Sequence, residues 1–432
     1  MKQTLALICP IGSVSGYGVH SRLIAKALIS NDAYDVKIIS TKWGTTPLNG
    51  LVNGQDDDII RRVVPSLNFQ PDISIQITIP SEAQKIGKKS ILITAGTESS
   101  ICSPEFIDGC NRVDLVIVPS EFTKRVLQET QIEKRNNQTN QVIETMKVNT
   151  PIEVCFEGID VKLFDKNTIE YCPDVIDSLD IVPEKFCFLF VGTWLQGNLG
   201  HDRKDVGMLI KTFIEVFKRK ASQNKPALIL KTHGAGYSVV EREQIIDKIQ
   251  QIQQMIRDVS GYKGDFPKIY LLNGELSDYE MNALYNHPKI KAMVSFTKAE
   301  GFGLPFLEFQ TTGKPLIVSN YSGHLDFVNK DFSQLLPGKL TNIDGSAANE
   351  WIVKQGQWFT VNYQFAGEIL NDMIEHYDKY LEKSRKTVKW VKDNWSLEKM
   401  SEKLFGMLEK NSYIVENKTE RPVIHLPKLK KI

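Results

Sequence analysis

Short apolar runs alternate with longer amphipathic ones along most of the chain. Residues 4–9, 36–40, 73–77, 90–95, 114–118, 186–191, 227–231 and 292–296 are nearly continuous in apolar side chains, the pattern of strands covered on both faces. Several are followed by segments with apolar residues at helical spacing, such as HSRLIAKALIS after the first and VGMLIKTFIEVFKRK after the sixth. Strands separated by helices predict parallel sheets, and 432 residues are enough for two domains with separate cores. The isoleucines at 245, 246, 249 and 252, continued by Met255 and Ile256, mark the packing face of a helix over about 239–259.

Breaks in the pattern divide the chain. A linker near 166–182 separates a first domain, 1–170, from a second, 181–390. The polar stretch 129–147 has no strong period and predicts a helix tail followed by an exposed insertion. A loop-rich stretch with Trp351 and Trp358 precedes helices near 363–383 and 384–409, and 411–432 is a proline-broken basic tail.

Composition narrows the function classes. Hydrophobic content of 41%, charged content of 24% and net charge +1 describe an ordinary globular protein and exclude the large basic excess of a nucleic-acid binder. The tail carries few cations, so membrane-surface contact is the minor alternative for it. The six cysteines are scattered without a C-x-x-C pair, which predicts buried free thiols and neither zinc nor a disulfide framework. The apolar run at the N-terminus is too short for a signal peptide or a membrane span, so the expected location is cytoplasmic. The N-x-S/T matches at Asn137, Asn394 and Asn417 then carry no meaning.

Candidate chemistry concentrates in KIKAMVSFTKAEGFGLPFLEFQTTGKPLIVSNYSGHLDF, residues 289–326. A strand ends, a glycine turn follows, and Leu304-Pro305 opens a helix that Gly313 closes. Such a turn lies at the carboxyl end of a strand, where open α/β sheets bind ligands. Gly301 and Gly303 let backbone amides approach a ligand closely, and Glu300 and Glu308 bracket them so that both carboxylates face one cleft. The residues alone are equally compatible with a capped glycine turn. The early loop with Gly16 and Gly18 follows a strand and precedes a helix but lacks the G-x-G-x-x-G spacing of a dinucleotide site. Asp56, Asp57 and Asp58 have no preceding strand and read as a solvated acidic turn.

The string EGFGLPFLE resembles the E-x7-E signature of retaining nucleotide-sugar glycosyltransferases of the two-Rossmann-domain (GT-B) type, in their fourth sequence family. The strand and turn at Gly158, Ile159, Asp160 and Phe164, and the terminal segment DNWSLEKMSEKLFGMLEK, are similar to that family as well. The resemblance implies an acceptor-binding first domain and a nucleotide-sugar-binding second domain facing a cleft, with a helix at about 391–410 crossing back to the first. It implies transfer from a nucleoside-diphosphate sugar with retention and without metal or other cofactor. The acceptor stays open among glycans, lipid-linked glycans, proteins and small molecules. By the same resemblance Glu300 lies at the donor sugar and Glu308 holds the ribose. Gly301, Phe302, Gly303 and Leu304 form the amide-bearing turn, and Gly16 and Gly18 approach the phosphates. Arg203 and Lys204 receive the diphosphate, while His233, Asn273, Gly274 and Leu276 edge the nucleotide.

Two departures from the family pattern stand out. Gly192-Thr193 replaces the usual Gly-Arg, and Gly96, Thr97 and Glu98 occupy the place of a customary acceptor-side histidine, which makes Glu98 the candidate there. A non-catalytic nucleotide- or glycan-binding member of the fold and a sugar-nucleotide epimerase or phosphorylase remain the alternatives.

Overall fold

A computed structural model describes residues 2–411 and 413, apart from 137 and 235. Two six-stranded sheets form its two halves, and within each every pairing is parallel. In space the first sheet runs Tyr34–Ser40, Gln3–Cys9, Ile73–Ile77, Lys89–Ile93, Leu115–Val118, Ile152–Val154. The second runs Ile269–Leu272, Ala227–His233, Cys187–Thr193, Ile290–Ser295, Leu316–Ser319, Gln334–Leu336. Numbered along the chain, the second order is 3-2-1-4-5-6, and its direction reverses between Cys187–Thr193 and Ile290–Ser295. Loops leaving the carboxyl ends of those two strands diverge and open a crevice. The apolar runs are what make these strands central: Cys187, Phe188, Leu189 and Phe190 are fully buried, covered by helices on both faces. Capping boxes at Ser238 with Glu241 and at Ser277 with Glu280 fix the starts of helices Val239–Ser260 and Asp278–Asn286.

The chain passes between the halves more than once. After Ile152–Val154 it continues into the second half, and at the end it returns. The Ile159 amide donates to the Trp395 carbonyl (3.0 Å) and the Leu397 amide donates to the Ile159 carbonyl (2.9 Å). Helix Leu397–Lys410 then lies on helix Gly16–Asn31 of the first half, burying Met400, Leu404 and Leu408. A second bridge is an antiparallel hairpin, Gly338–Asn342 with Gln357–Val361. From it the Gln357 amide donates to Ser100 Oγ (2.8 Å) and the Trp358 indole donates to the Glu98 carbonyl (2.7 Å).

Several segments differ from the sequence reading. Residues 129–147 hold a hairpin, Ile132–Arg135 with Val142–Met146, in which Met146 alone is buried, so the hydrophobic pattern carries no trace of it. The linker region contains a helix, Pro173–Asp180, with Val175 and Leu179 buried where it packs against helix Asp278–Asn286. The two terminal helices are four: Tyr363–Glu375, Tyr377–Ser384, Thr387–Asn394 and Leu397–Lys410. The acidic turn is solvated only in part. Asp56 is buried and accepts the Val52 amide, while Asp58 pairs at the surface with Arg61 and Arg62. All six cysteines are free and five are buried. Among the described residues no helix is long and apolar enough to cross a membrane. The expected basic tail lies outside the described residues apart from 411 and 413.

Gly158 sits where the returning chain meets the first half, and an added Cβ would lie 2.8 Å from Leu397 Cα and 2.9 Å from Met400 Cβ. Gly158→Ala is therefore expected to cost roughly 1–3 kcal/mol by overpacking. The loss would be read as a lower urea midpoint with earlier proteolytic release of the terminal helix. An unchanged midpoint would show that the contact yields freely.

Candidate active site

The loops that diverge at the reversal point bring four charged side chains together. Arg203 and Lys204 end the loop after Cys187–Thr193, just before helix Val206–Phe217, and Glu300 follows Ile290–Ser295. Glu98 comes from the first half, after Lys89–Ile93. Lys204 Nζ lies 2.5 Å from Glu300 Oε1, and Arg203 Nη1 lies 3.4 Å from Glu300 Oε2 and 2.9 Å from Glu98 Oε1. The same Nη1 donates to the Ala299 carbonyl at 3.0 Å.

Local geometry explains why these residues meet. The stem of Lys204 runs along Gly192, where a Cβ would stand 3.4 Å from Lys204 Cε. The Glu300 amide donates to Ser322 Oγ (2.9 Å), and its carbonyl accepts the Gly323 amide (3.0 Å). Ser322 holds this position at φ 81°, a left-handed conformation uncommon for a residue with a Cβ. Gly323 cannot be enlarged, because a Cβ there would fall 2.0 Å from the Gly301 carbonyl oxygen. From the first half, Ser120 Oγ donates to that same carbonyl at 2.6 Å.

Electrostatics follow from burial and pairing. Burial alone would push the Glu300 carboxyl up; the Lys204 ammonium and the Arg203 guanidinium outweigh it and hold it at about 2. Lys204 moves the other way, lowered by burial and by Arg203 despite its carboxylate partner. Glu98 is raised, by burial first and then by Glu300 against the pull of Arg203, although its side chain is 32% exposed and water tempers the effect. The cluster sums to zero charge, so an arriving anion competes with carboxylates for the two cations.

Glu308 has its own set of partners. Its helix, Leu304–Gln310, starts at Gly303 with φ 98° and turns Glu308 toward Tyr285, whose hydroxyl donates to Oε2 at 2.9 Å. It borders a narrow cavity shared with Arg22, Asp160 and Asp278. Burial, then the nearby Asp278 carboxylate, raises it to about 8 against the Tyr285 bond.

The remaining sequence candidates scatter around this centre. Gly301, Phe302, Gly303 and Leu304 form the turn between the two glutamates, with Phe302 and Leu304 buried. Gly16 and Gly18 lie in the first turn of helix Gly16–Asn31 rather than in a loop, and a Cβ on Gly18 would strike the Ser13 carbonyl at 1.9 Å. His233 bonds the adjacent Gly234 carbonyl and packs on Tyr237; burial, then Lys231, lowers it. Asn273 donates to the Thr232 carbonyl, Gly274 accepts from Lys231, and Leu276 is half-buried beside them. Sequence reasoning missed Ser322, Tyr285 and Trp358 as supports of Glu300, Glu308 and Glu98. The Trp358 contact spans 260 residues and leaves no local signal.

No protein-family model matches the sequence, and no curated protein resembles it in sequence. Solved structures do match. HepE of Anabaena in complex with UDP and glucose is 13% identical, with 94% of this chain and 100% of that chain covered and a TM-score of 0.57. Sucrose-phosphate synthase of Thermosynechococcus elongatus is 13% identical (95% and 99% covered, TM-score 0.59). A glycosyltransferase of Rickettsia africae is 17% identical (96% and 99% covered, TM-score 0.56). At such identities the likeness establishes the fold: two Rossmann-like domains in the GT-B arrangement, with the terminal helix crossing back.

Because Glu308 titrates higher in the folded protein than the usual carboxylate value, its ionisation opposes folding. Stability from this group is complete at low pH and is lost as pH rises from about 4.5 through about 8. Glu308→Gln removes the penalty. The variant should melt higher than the parent at pH 8, with the gap closing by up to about 1.4 kcal/mol per unit as pH falls toward 5. A gap independent of pH would show that Glu308 ionises normally.

Proposed function

We propose that the protein is a glycosyltransferase that moves a sugar from a nucleoside diphosphate to an acceptor hydroxyl with retention of anomeric configuration. The observation that carries this reading is the buried Lys204–Glu300 pair, with Arg203 beside it, at the point where the second sheet reverses. Two cations at the mouth of such a crevice suit a diphosphate leaving group without a metal ion. HepE, whose structure holds UDP and glucose, shares the fold and makes a uridine diphosphate sugar the first donor to try.

In this reading the diphosphate draws Lys204 and Arg203 toward itself, which frees the Glu300 carboxylate for hydroxyls of the donor sugar. The anomeric carbon–oxygen bond to the phosphate breaks through an oxocarbenium-like state, and the two cations stabilise the negative charge that grows on the departing diphosphate. The acceptor hydroxyl attacks the same face and passes its proton to the departing phosphate, so no nucleophilic side chain is required. Glu98, next to Arg203 and raised by burial, would accept a hydrogen bond from a neighbouring, non-reacting hydroxyl of the acceptor. Glu308 takes the ribose hydroxyls in place of the Tyr285 bond; those donors favour its ionised form, and binding near pH 7 releases a proton.

Purified protein incubated with UDP-, GDP- and ADP-sugars should release nucleoside diphosphate from one of them. Glu300→Ala and Lys204→Ala should each slow release by about 10²–10³-fold, and a chelator should leave it unchanged. Release that survives both substitutions would remove the cluster from the reaction. A nucleotide that raises the melting temperature while every donor stays intact would establish the non-catalytic alternative.

A further inference from the structure

One buried ion pair beside the cluster has no part in the chemistry described so far. Lys298 stands two residues before Glu300, and Asp205 directly follows Lys204. Their side chains are 2% and 0% exposed, and Lys298 Nζ lies 3.1 Å from Asp205 Oδ2, the most deeply buried ion pair among the described residues. The same oxygen accepts the Tyr363 hydroxyl at 2.6 Å, and the ammonium also donates to Thr360 Oγ1 at 3.1 Å. Asp205 Oδ1 has no hydrogen-bond partner among the described residues.

Asp205 departs from what its position favours. It is the N-cap of helix Val206–Phe217, where an aspartate commonly turns its carboxylate back onto the first free amides. Here it makes no such bond, and Asp202 accepts the Val206 amide instead, at 3.2 Å. Asp205 also holds φ 53°, in the left-handed region that residues with a Cβ enter at some cost. A forgone cap, a strained backbone and an orphaned oxygen all oppose folding, while a buried ion pair adds little stability over apolar side chains of similar volume. What the pair does fix is position. The Lys298 amide donates to the Arg203 carbonyl (2.8 Å), and its carbonyl accepts the Phe359 amide (3.1 Å). The loop with Arg203 and Lys204, the turn with Glu300, and the hairpin whose Trp358 holds the Glu98 carbonyl therefore meet at one residue.

We propose that Lys298 is a positioning residue of the active site: paired with Asp205, it holds Arg203 and Lys204 at the spacing from Glu300 that receives a diphosphate. It touches neither donor nor acceptor and acts through the two cations. A displacement of about 1 Å caused by a change away from the chemistry can lower a rate by about 100-fold, so such a brace matters to a site that works by charge placed in advance. This rests on the transferase reading given above.

The test compares the full-length parent with the double variant Lys298→Met/Asp205→Asn, which removes both charges and leaves neither uncompensated. Affinities of UDP, GDP and ADP are measured beside those of uridine, guanosine and adenosine, and the ratio of each pair reports what the diphosphate contributes. For the nucleotide that the parent binds, the double variant should lower this ratio at least tenfold while nucleoside affinity stays the same. Tyr363→Phe, which removes one hydrogen bond and no charge, should lower it less, and it decides the question if the double variant does not fold. A lower melting temperature with the ratio intact would mark the pair as purely structural and overturn the proposal, as would a parent that binds nucleoside and nucleotide equally. Diphosphate release from the donor sugars, measured on the parent, separates the two readings. A ratio that falls in the variants without turnover in the parent would sink the transferase and keep the positioning role, whereas turnover in the parent with an unchanged ratio would do the reverse.

Discussion

Four charges gathered where two domains meet, with Glu300 buried, Arg203 and Lys204 nearly so and Glu98 partly exposed, are tolerable only as a complete set. Taking a carboxylate or an ammonium out of water costs several kcal/mol even after relaxation, and one partner removed leaves the other uncompensated. Glu300 and Lys204 belong to the second domain, Glu98 to the first, and Arg203 touches both carboxylates. The arrangement of the halves is therefore written partly in charge: moving the domains apart separates Glu98 from Arg203. A ligand phosphate that engages Arg203 replaces an internal partner with an external one, so affinity and closure are set by the same balance.

The backbone around the cluster is built to keep that set aligned. Ser322 accepts a strained conformation and returns its hydroxyl to the Glu300 amide, and Gly323 permits an approach that no side chain would allow. Strain of this kind persists where surrounding contacts over-determine it. The hairpin with Trp358 holds the Glu98 backbone carbonyl and Arg203 holds its carboxylate, so this residue of the first half is anchored twice by the second.

Much of this was legible in the sequence, for reasons that differ by element. Strands covered on both faces announce themselves by apolar runs, and the turn from Glu300 to Leu304 by glycine and proline at fixed offsets. The resemblance singled out Lys204 and Glu300 separately, but their pairing crosses 96 residues and left no local pattern to read. The hairpin at Ile132–Arg135 and Val142–Met146 was illegible because it buries almost nothing. The partner of Glu308 depends on which way a short helix turns, and the Tyr285 hydroxyl that meets it lies 23 residues away. Trp358 looked like a loop tryptophan because its partner, the Glu98 carbonyl, is backbone and far away.

The returning helix has a consequence for how the chain is made. Strands of the first sheet are complete at Val154, yet part of helix Gly16–Asn31 is covered by Leu397–Lys410. On the ribosome the first domain thus waits through some 240 further residues of synthesis with part of its apolar surface open, a few tens of seconds at ordinary elongation rates. Translation halted before residue 397 would leave that surface exposed to proteases and chaperones. A segment made long after the first sheet is the one that finishes the first domain to form.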